Sequence, residues 1–492
     1  MKIGFSNDKY IEMQSSHIMD RIKDFGGKLY LEFGGKLYDD YHASRVLPGF
    51  EPDSKLRMLS SLKDKLEIVI VISAKDIEKN KIRSDLGITY DEDVLRLIDV
   101  FESRNLLVKN VVITKYENNT SSNLFKHRLE KKGYTVSLHY PISGYPSDIK
   151  KIISDEGFGK NEFVKTTRPL VVVTAPGPGS GKMATCLSQL YQENKRGVKA
   201  GYAKFETFPI WNLPLSHPVN LAYEAATADL SDVNMIDPYH LEAYGKTCVN
   251  YNRDIEIFPV LKSIFEGIYG NSPYQSPTDM GVNMAGNCIT SDEICKDASN
   301  QEIIRRYYDT LYHVISGTSE QDELVKIEYL MKKANISLEN RKVVKACLEK
   351  ENDTKGPSAA IELEDGTIVT GKTSQLLGAT SAVLLNALKK VAGINKNEHL
   401  ISPEAIMPIQ KLKTDYLGGI NPRIHSDETL IALSISAANN ESAKKALENI
   451  PKLKGCEMHS SVILSPVDIK ILKKIGINIT TEPKYEKKHI KI

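Results

Sequence analysis

The chain is poor in the features that mark secreted, membrane-spanning and nucleic-acid-binding proteins. Its six cysteines stand far apart, at Cys186, Cys248, Cys288, Cys295, Cys347 and Cys456, and no two form a C-x-x-C pair. That spacing argues against a disulfide framework and a thiolate zinc site, and it points to reduced thiols in a cytosol. Long apolar runs are missing too. Ile68 to Ile72 and Leu170 to Val173 fall far short of a membrane span, and the opening Met-Lys-Ile-Gly-Phe-Ser-Asn-Asp has no apolar signal core. A cytoplasmic protein with no membrane contact is expected. Neither sign of charge prevails, with 65 basic against 63 acidic residues and a net charge of +2. No basic stripe with interleaved aromatics appears, which argues against nucleic acid as a partner.

What the chain has is length and an ordinary globular composition. Its 492 residues, 41% hydrophobic and 26% charged, suffice for two to four domains. The most telling stretch is Leu170-Val-Val-Val-Thr-Ala-Pro-Gly-Pro-Gly-Ser-Gly-Lys182. A β-branched strand runs into a glycine-rich loop that opens a helix, the arrangement that turns backbone N–H groups and a helix N-terminus toward a phosphate. Gly177, Gly179, Ser180, Gly181 and Lys182 are therefore the candidate cofactor-binding residues. The fit to G-x-x-x-x-G-K-[ST] is imperfect, because Pro176 replaces a glycine and Met183 replaces the hydroxyl that holds magnesium. Thr185 or Ser180 could substitute for it. The alternative is a strand-to-helix turn whose glycines serve tight packing alone.

A second stretch, Gly366-Thr-Ile-Val-Thr-Gly-Lys-Thr373, satisfies the same pattern to the letter. Its Thr-Ile-Val-Thr spacer suits a strand and would block backbone approach to a phosphate, so a hairpin turning at Asp365-Gly366 is expected instead.

The first 210 residues alternate helix and strand signals. Strands are expected at 29–33, 68–72, 111–114, 135–139, 170–174 and near 199–205, with helices at 11–25, 54–66, 92–103, 121–132 and through Tyr191. Such βα repetition predicts an α/β domain over 1–211 with a mostly parallel, doubly wound sheet. Ligands then sit beyond the carboxyl ends of the strands. Gly34-Gly35-Lys36, Asp39, Asp40, His42, Arg45, Lys79, Lys81, Arg83, His139 to Tyr145 and Glu206 fall there. Asp39, Asp40 and Glu206 are the candidate catalytic groups, able to act as base or to hold magnesium.

Residues 212–350 read as a mainly helical domain carrying the irregular loop 276–288, with no metal-ligand spacing around His217 or His240. From 351 to 492 an α/β pattern returns, with the hairpin, a helix at 380–391, an extended Leu400-Ile-Ser-Pro and later segments at 429–437 and 461–464.

Two pieces of this last domain resemble the cytidine-deaminase fold. Asp365 to Gly371 is similar to the hairpin before its first active-site helix, and Leu400-Ile-Ser-Pro403 to the run before its second. Glu404 and Met407 stand where that fold places zinc cysteines, and Ala379-Thr-Ser-Ala lacks a His-x-Glu or Cys-x-Glu. The resemblance therefore implies a scaffold with no zinc. A closer resemblance spans nearly the whole chain. Gly26 to Leu37, Tyr41 to Asp53, Thr174 to Met183 and Asn234 to Pro238 resemble the bacterial family known as domain of unknown function 1846, or uncharacterised protein family 0371. It implies a multidomain cytosolic protein and carries no catalytic residues across.

The residues thus favour an enzyme, a phosphate- or nucleotide-dependent transferase or hydrolase that takes a small phosphorylated ligand or a nucleotide with magnesium. A non-catalytic metabolite-binding or regulatory protein is the alternative, and a third reading locates function in the 276–288 loop. Assembly into a homo-oligomer is compatible with each.

Overall fold

The computed structural model describes residues 2–35, 37, 40–83 and 86–486. The chain divides into two compact units, residues 2–299 and 300–492. No described helix is long and apolar enough to cross a membrane.

The first unit is built on a seven-stranded sheet of β1 (Leu29–Phe33), β2 (Leu66–Ser73), β3 (Leu107–Thr114), β4 (Thr135–Leu138), β5 (Leu170–Thr174), β6 (Gly201–Phe205) and β7 (Gly281–Val282). The order across the sheet is β7-β6-β1-β5-β2-β3-β4, and every pairing is parallel. The chain therefore lays down β1 to β4, then returns to insert β5 between β1 and β2. β2 is Leu-Glu-Ile-Val-Ile-Val-Ile-Ser and is buried at every position. A run of β-branched residues with no polar alternation suits a parallel strand whose two faces are both covered. Helices Asn7–Asp24, Tyr90–Ser103, Thr120–Lys131, Lys182–Lys195 and Asn252–Tyr269 accompany the sheet. The last two pack with β1, β5 and β6 around a core of Tyr30, Val171, Val173, Leu187, Phe258 and Phe265.

Residues 212–299 contribute to this unit, because Gly281–Val282 pairs with Lys204 and Phe205 of β6. The stretch 276–288 is short structure in succession. A capped turn of helix at Pro277–Met280 leads into β7 and then a 3-10 turn at Ala285–Cys288.

The second unit carries a four-stranded sheet of β8 (Ser358–Glu362), β9 (Ile368–Lys372), β10 (Glu457–Ser460) and β11 (Asn478–Thr481), in the order β9-β8-β10-β11. β8 is antiparallel to both of its neighbours, while β10 and β11 are parallel. Residues 366–373 form the turn and second strand of a hairpin, with Gly366 at φ 81°. Gly371 is there for packing. A Cβ on it would come within 2.3 Å of the Val383 backbone nitrogen in helix Ala379–Ala392. Of the later segments, 429–437 lies largely in helix Ser426–Ser436, whereas 461–464 follows β10.

Candidate functional site

The strand pleat decides what faces what. Alternate residues share a face, so Tyr30 and Glu32 of β1 and Tyr202 and Lys204 of β6 point to one side, with Glu206 next in the series. Register sets Glu32 level with both Val173 and Lys204. The loop after β5 and Glu206 after β6 thus leave the sheet at the same height, on strands two places apart. At about 4.8 Å per strand that is roughly 10 Å.

The glycine loop is held by its carbonyls. Thr114 Oγ1 donates to the Ser180 carbonyl at 2.6 Å, Lys115 Nζ to that of Gly179 at 3.0 Å, and Ser180 Oγ to that of Gly177 at 2.9 Å. Gly179 and Gly181, at φ 74° and 94°, take the left-handed backbone that only glycine adopts without strain. Gly177 lies against the Tyr90 hydroxyl, which a Cβ would meet at 2.3 Å. Tyr90 in turn has Lys81 Nζ 4.9 Å from its ring centre. Among the described residues the N–H groups of residues 179 to 184 have no hydrogen-bond partner. They open helix Lys182–Lys195, whose first residue, Lys182, is half-buried and forms no ion pair among the described residues. Of the two hydroxyls that could replace the missing magnesium ligand, that of Ser180 is spent on the loop. That of Thr185 is buried and finds no partner among the described residues.

Across β1 lies a buried ionic cluster. Lys204 Nζ reaches both Asp254 carboxylate oxygens at 2.6 Å and Glu206 Oε1 at 3.1 Å. The Tyr251 hydroxyl accepts from Lys204 and donates to Glu206 Oε1 at 2.7 Å. The Tyr202 hydroxyl donates to Glu32 Oε2 at 2.6 Å. Burial works against the charge on Lys204, but Asp254, Glu206 and Glu32 outweigh it and hold the ammonium ionised. Glu206 goes the other way. Burial, reinforced by Asp254 and only partly offset by Lys204, pushes its carboxyl up to about 7. The side chain keeps 24% of its surface in solvent. A carboxyl that is both reachable and raised toward neutrality suits acid–base chemistry.

Gly34 is what leaves room for it. A Cβ at Gly34 would stand 2.7 Å from Glu206 Cγ and 3.0 Å from the Phe205 carbonyl oxygen. Gly34→Ala is therefore expected to displace Glu206 from Tyr251 and to cost roughly 1–3 kcal/mol, the usual range for overpacking. Denaturant unfolding followed by the fluorescence of Trp211, the sole tryptophan, would read the loss. An unchanged midpoint would show that Glu206 has another place to go.

The other sequence candidates are distributed elsewhere. Asp40 is committed to the fold, as the cap of helix Tyr41–Val46 through the Ala43 N–H and as the partner of buried Lys55 at 2.7 Å. Burial raises its pKa but Lys55 prevails, and the carboxyl stays below its ordinary range. Asp39 lies outside the described residues. His139 is buried with its ring against the Glu162 carbonyl, and burial pushes its pKa down to about 4. His217 caps the helix it precedes and reaches Asp292 at 2.8 Å, and His240 meets Ser276 at 2.9 Å. Lys204, Asp254, Tyr251 and Glu32 escaped sequence reasoning. The available signal was a charge inside each of two strands that are otherwise apolar, Leu-Tyr-Leu-Glu-Phe and Gly-Tyr-Ala-Lys-Phe.

Comparison with known proteins places this architecture. Residues 3–335 match the family model described as domain of unknown function DUF1846, N-terminal, and residues 339–490 match its C-terminal companion. The chain belongs to the DUF1846 family. Among its relatives, the UPF0371 protein of Streptococcus thermophilus (strain ATCC BAA-491 / LMD-9) is 58% identical over 485 residues, covering 99% of this chain and 98% of the relative. The UPF0371 protein of Corynebacterium glutamicum (strain R) is 57% identical over 491 residues, covering 99% of both. The DUF1846 N-terminal match contains the whole seven-stranded sheet, the glycine loop and Glu206, and the C-terminal match contains β8 to β11.

Proposed function

We propose that residues 2–299 form a cytoplasmic enzyme unit that binds a phosphorylated small molecule or nucleotide at Gly177 to Lys182 and uses Glu206 as its acid–base group. The observation that carries this reading is the division of labour in the loop. Its carbonyls are engaged by Thr114, Lys115 and Ser180, while the N–H groups of 179–184 at a helix N-terminus are unspent. Such groups favour an anion, and Lys182 adds a full positive charge. A phosphate held there, beside Thr114 at the end of β3, leaves the rest of the ligand to run toward Glu206 at the end of β6, four strand spacings or roughly 19 Å across the sheet, about the reach of an extended nucleotide. Glu206 then donates or accepts a proton at the reacting group, and Lys204 and Tyr251 hold its carboxyl in place. A magnesium ion accompanying a nucleotide would not take the Ser180 hydroxyl, which the loop itself uses. In a phosphate- or nucleotide-dependent transferase or hydrolase the loop N–H groups and Lys182 would stabilise charge developing on the phosphate.

Lys182→Met keeps the aliphatic stem and removes the charge. Binding of ATP or pyrophosphate is expected to weaken by roughly 1.5 to 3 kcal/mol, the worth of a charge-assisted hydrogen bond, with folding unaffected. Calorimetric titration of wild type and variant checks this. Equal affinities would reduce the loop to a packing turn.

For the second unit we infer a deaminase-like scaffold that holds no zinc. What supports it is the antiparallel β8 between β9 and β10, and the parallel β10–β11 pair. Helices Ala379–Ala392 and Pro403–Lys411 begin where that fold would place ligands, and neither contains a cysteine or histidine.

A further inference from the structure

In the second unit, one stretch of surface is apolar far beyond what folding needs. Helix Ser426–Ser436 is apolar on both of its sides: Ala432 and Leu433 pack into the core, while Ile431 and Ile435, one turn apart, face outward. Helix Pro403–Lys411 packs beside it and continues through a π-helical turn, Leu412–Tyr416, into the loop that carries Leu417 and Ile420. Leu412, Tyr416, Leu417, Ile420, Ile431 and Ile435 are each between 51% and 93% exposed. At about 200 Å² for a fully exposed large side chain they present roughly 800 Å². The largest apolar patch on an ordinary monomer is about 300–600 Å².

We propose that this face, residues 412–435, is where a second copy of the chain docks. The area matches the roughly 800 Å² per partner that a stable interface buries. Tyr416 to Pro422 and Leu430 to Ser436 contain no charged residue; of the charges in the same span, Lys413 is paired with Glu428 at 2.9 Å and Arg423 with Glu486 at 2.6 Å, while Asp415 is exposed beside Tyr416. A partner recognised by charge would find Lys413, Glu428 and Arg423 already paired within the chain, whereas an apolar face is complementary to itself across a two-fold axis. The chain's own terminus is the other nearby occupant, because Glu486 pairs with Arg423 at 2.6 Å. Residues 487–492, Lys-Lys-His-Ile-Lys-Ile, bring only two apolar side chains to a face of six.

Sedimentation velocity on the full chain at micromolar concentration tests it. Wild type is expected to run as a dimer, and Ile431→Glu/Ile435→Glu as a monomer with unchanged circular dichroism. Leu417→Glu/Ile420→Glu, placed in the loop, should do the same and decides the matter if the helix variant fails to fold. Removal of 487–492 should leave the dimer intact. A monomeric wild type, or dimers that survive in a folded double variant, would overturn the proposal. So would a wild type that dimerises only after 487–492 are removed, which would assign the face to the chain's own terminus.

Discussion

Replacing Lys204 by methionine is expected to cost the first unit roughly 3–5 kcal/mol, the penalty for removing one partner of a buried ion pair. The lysine is 9% exposed at its side chain and is the cation that Asp254 and Glu206 share. Methionine fills much the same volume, so the loss measures uncompensated charge and not a cavity. The deficit should shrink as pH falls from about 7 toward 4, because the stranded Glu206 carboxyl takes up its proton in the folded chain before it does so in the unfolded one. Trp211 is the sole tryptophan, lies in this unit and donates to the Asn283 carbonyl at 2.8 Å, so its emission follows this transition alone. A variant within about 1 kcal/mol of wild type would mean that the cluster does not depend on the Lys204 cation.

The second large effect carries the opposite sign. A Glu206 carboxyl at about 7 in the folded chain and about 4.3 in the unfolded chain binds its proton more tightly when folded. Its contribution to stability is therefore complete below the unfolded value and is lost as pH rises toward 7. Glu206→Gln removes a proton-binding site of nearly the same shape. The variant should match wild type near pH 4 and be more stable at pH 8, by on the order of 3–4 kcal/mol. Turnover of a substrate that uses this group should fall by about 10²–10⁴-fold. A gain in stability paired with a loss of activity is the mark of a group retained for chemistry. Identical pH–stability profiles for the two proteins would remove Glu206 from that role.

Much of the first unit was legible because parallel strands announce themselves. Runs such as Ile68 to Ile72 and Leu170 to Val173 are β-branched, continuous and flanked by helical periodicity, and each became a strand of the sheet. The hairpin at 366–373 was legible for a similar reason, since the Thr-Ile-Val-Thr spacer outweighs the letters of a nucleotide motif. Short elements were not. Pro277–Met280, β7 and Ala285–Cys288 are each too brief for a period to show, so 276–288 read as one long loop. At the site, Glu206 could be found because it follows a strand's carboxyl end. Asp254 could not, because it comes from a helix 50 residues beyond Lys204 and only the tertiary fold unites them. Asp40 shared Glu206's sequence credentials, yet its fate was settled by Lys55, a residue whose burial no local pattern indicates.

The central claim is that the N–H groups of residues 179–184 receive a phosphate. Hydrogen–deuterium exchange at those amides, with ATP, pyrophosphate or inorganic phosphate added to the full chain, tests it most directly. The account predicts that at least one of these slows exchange at 179–184 in wild type, and that Lys182→Met loses the protection at the same ligand concentration. Exchange at these amides that no phosphate compound alters, or protection confined to other parts of the chain, would contradict it.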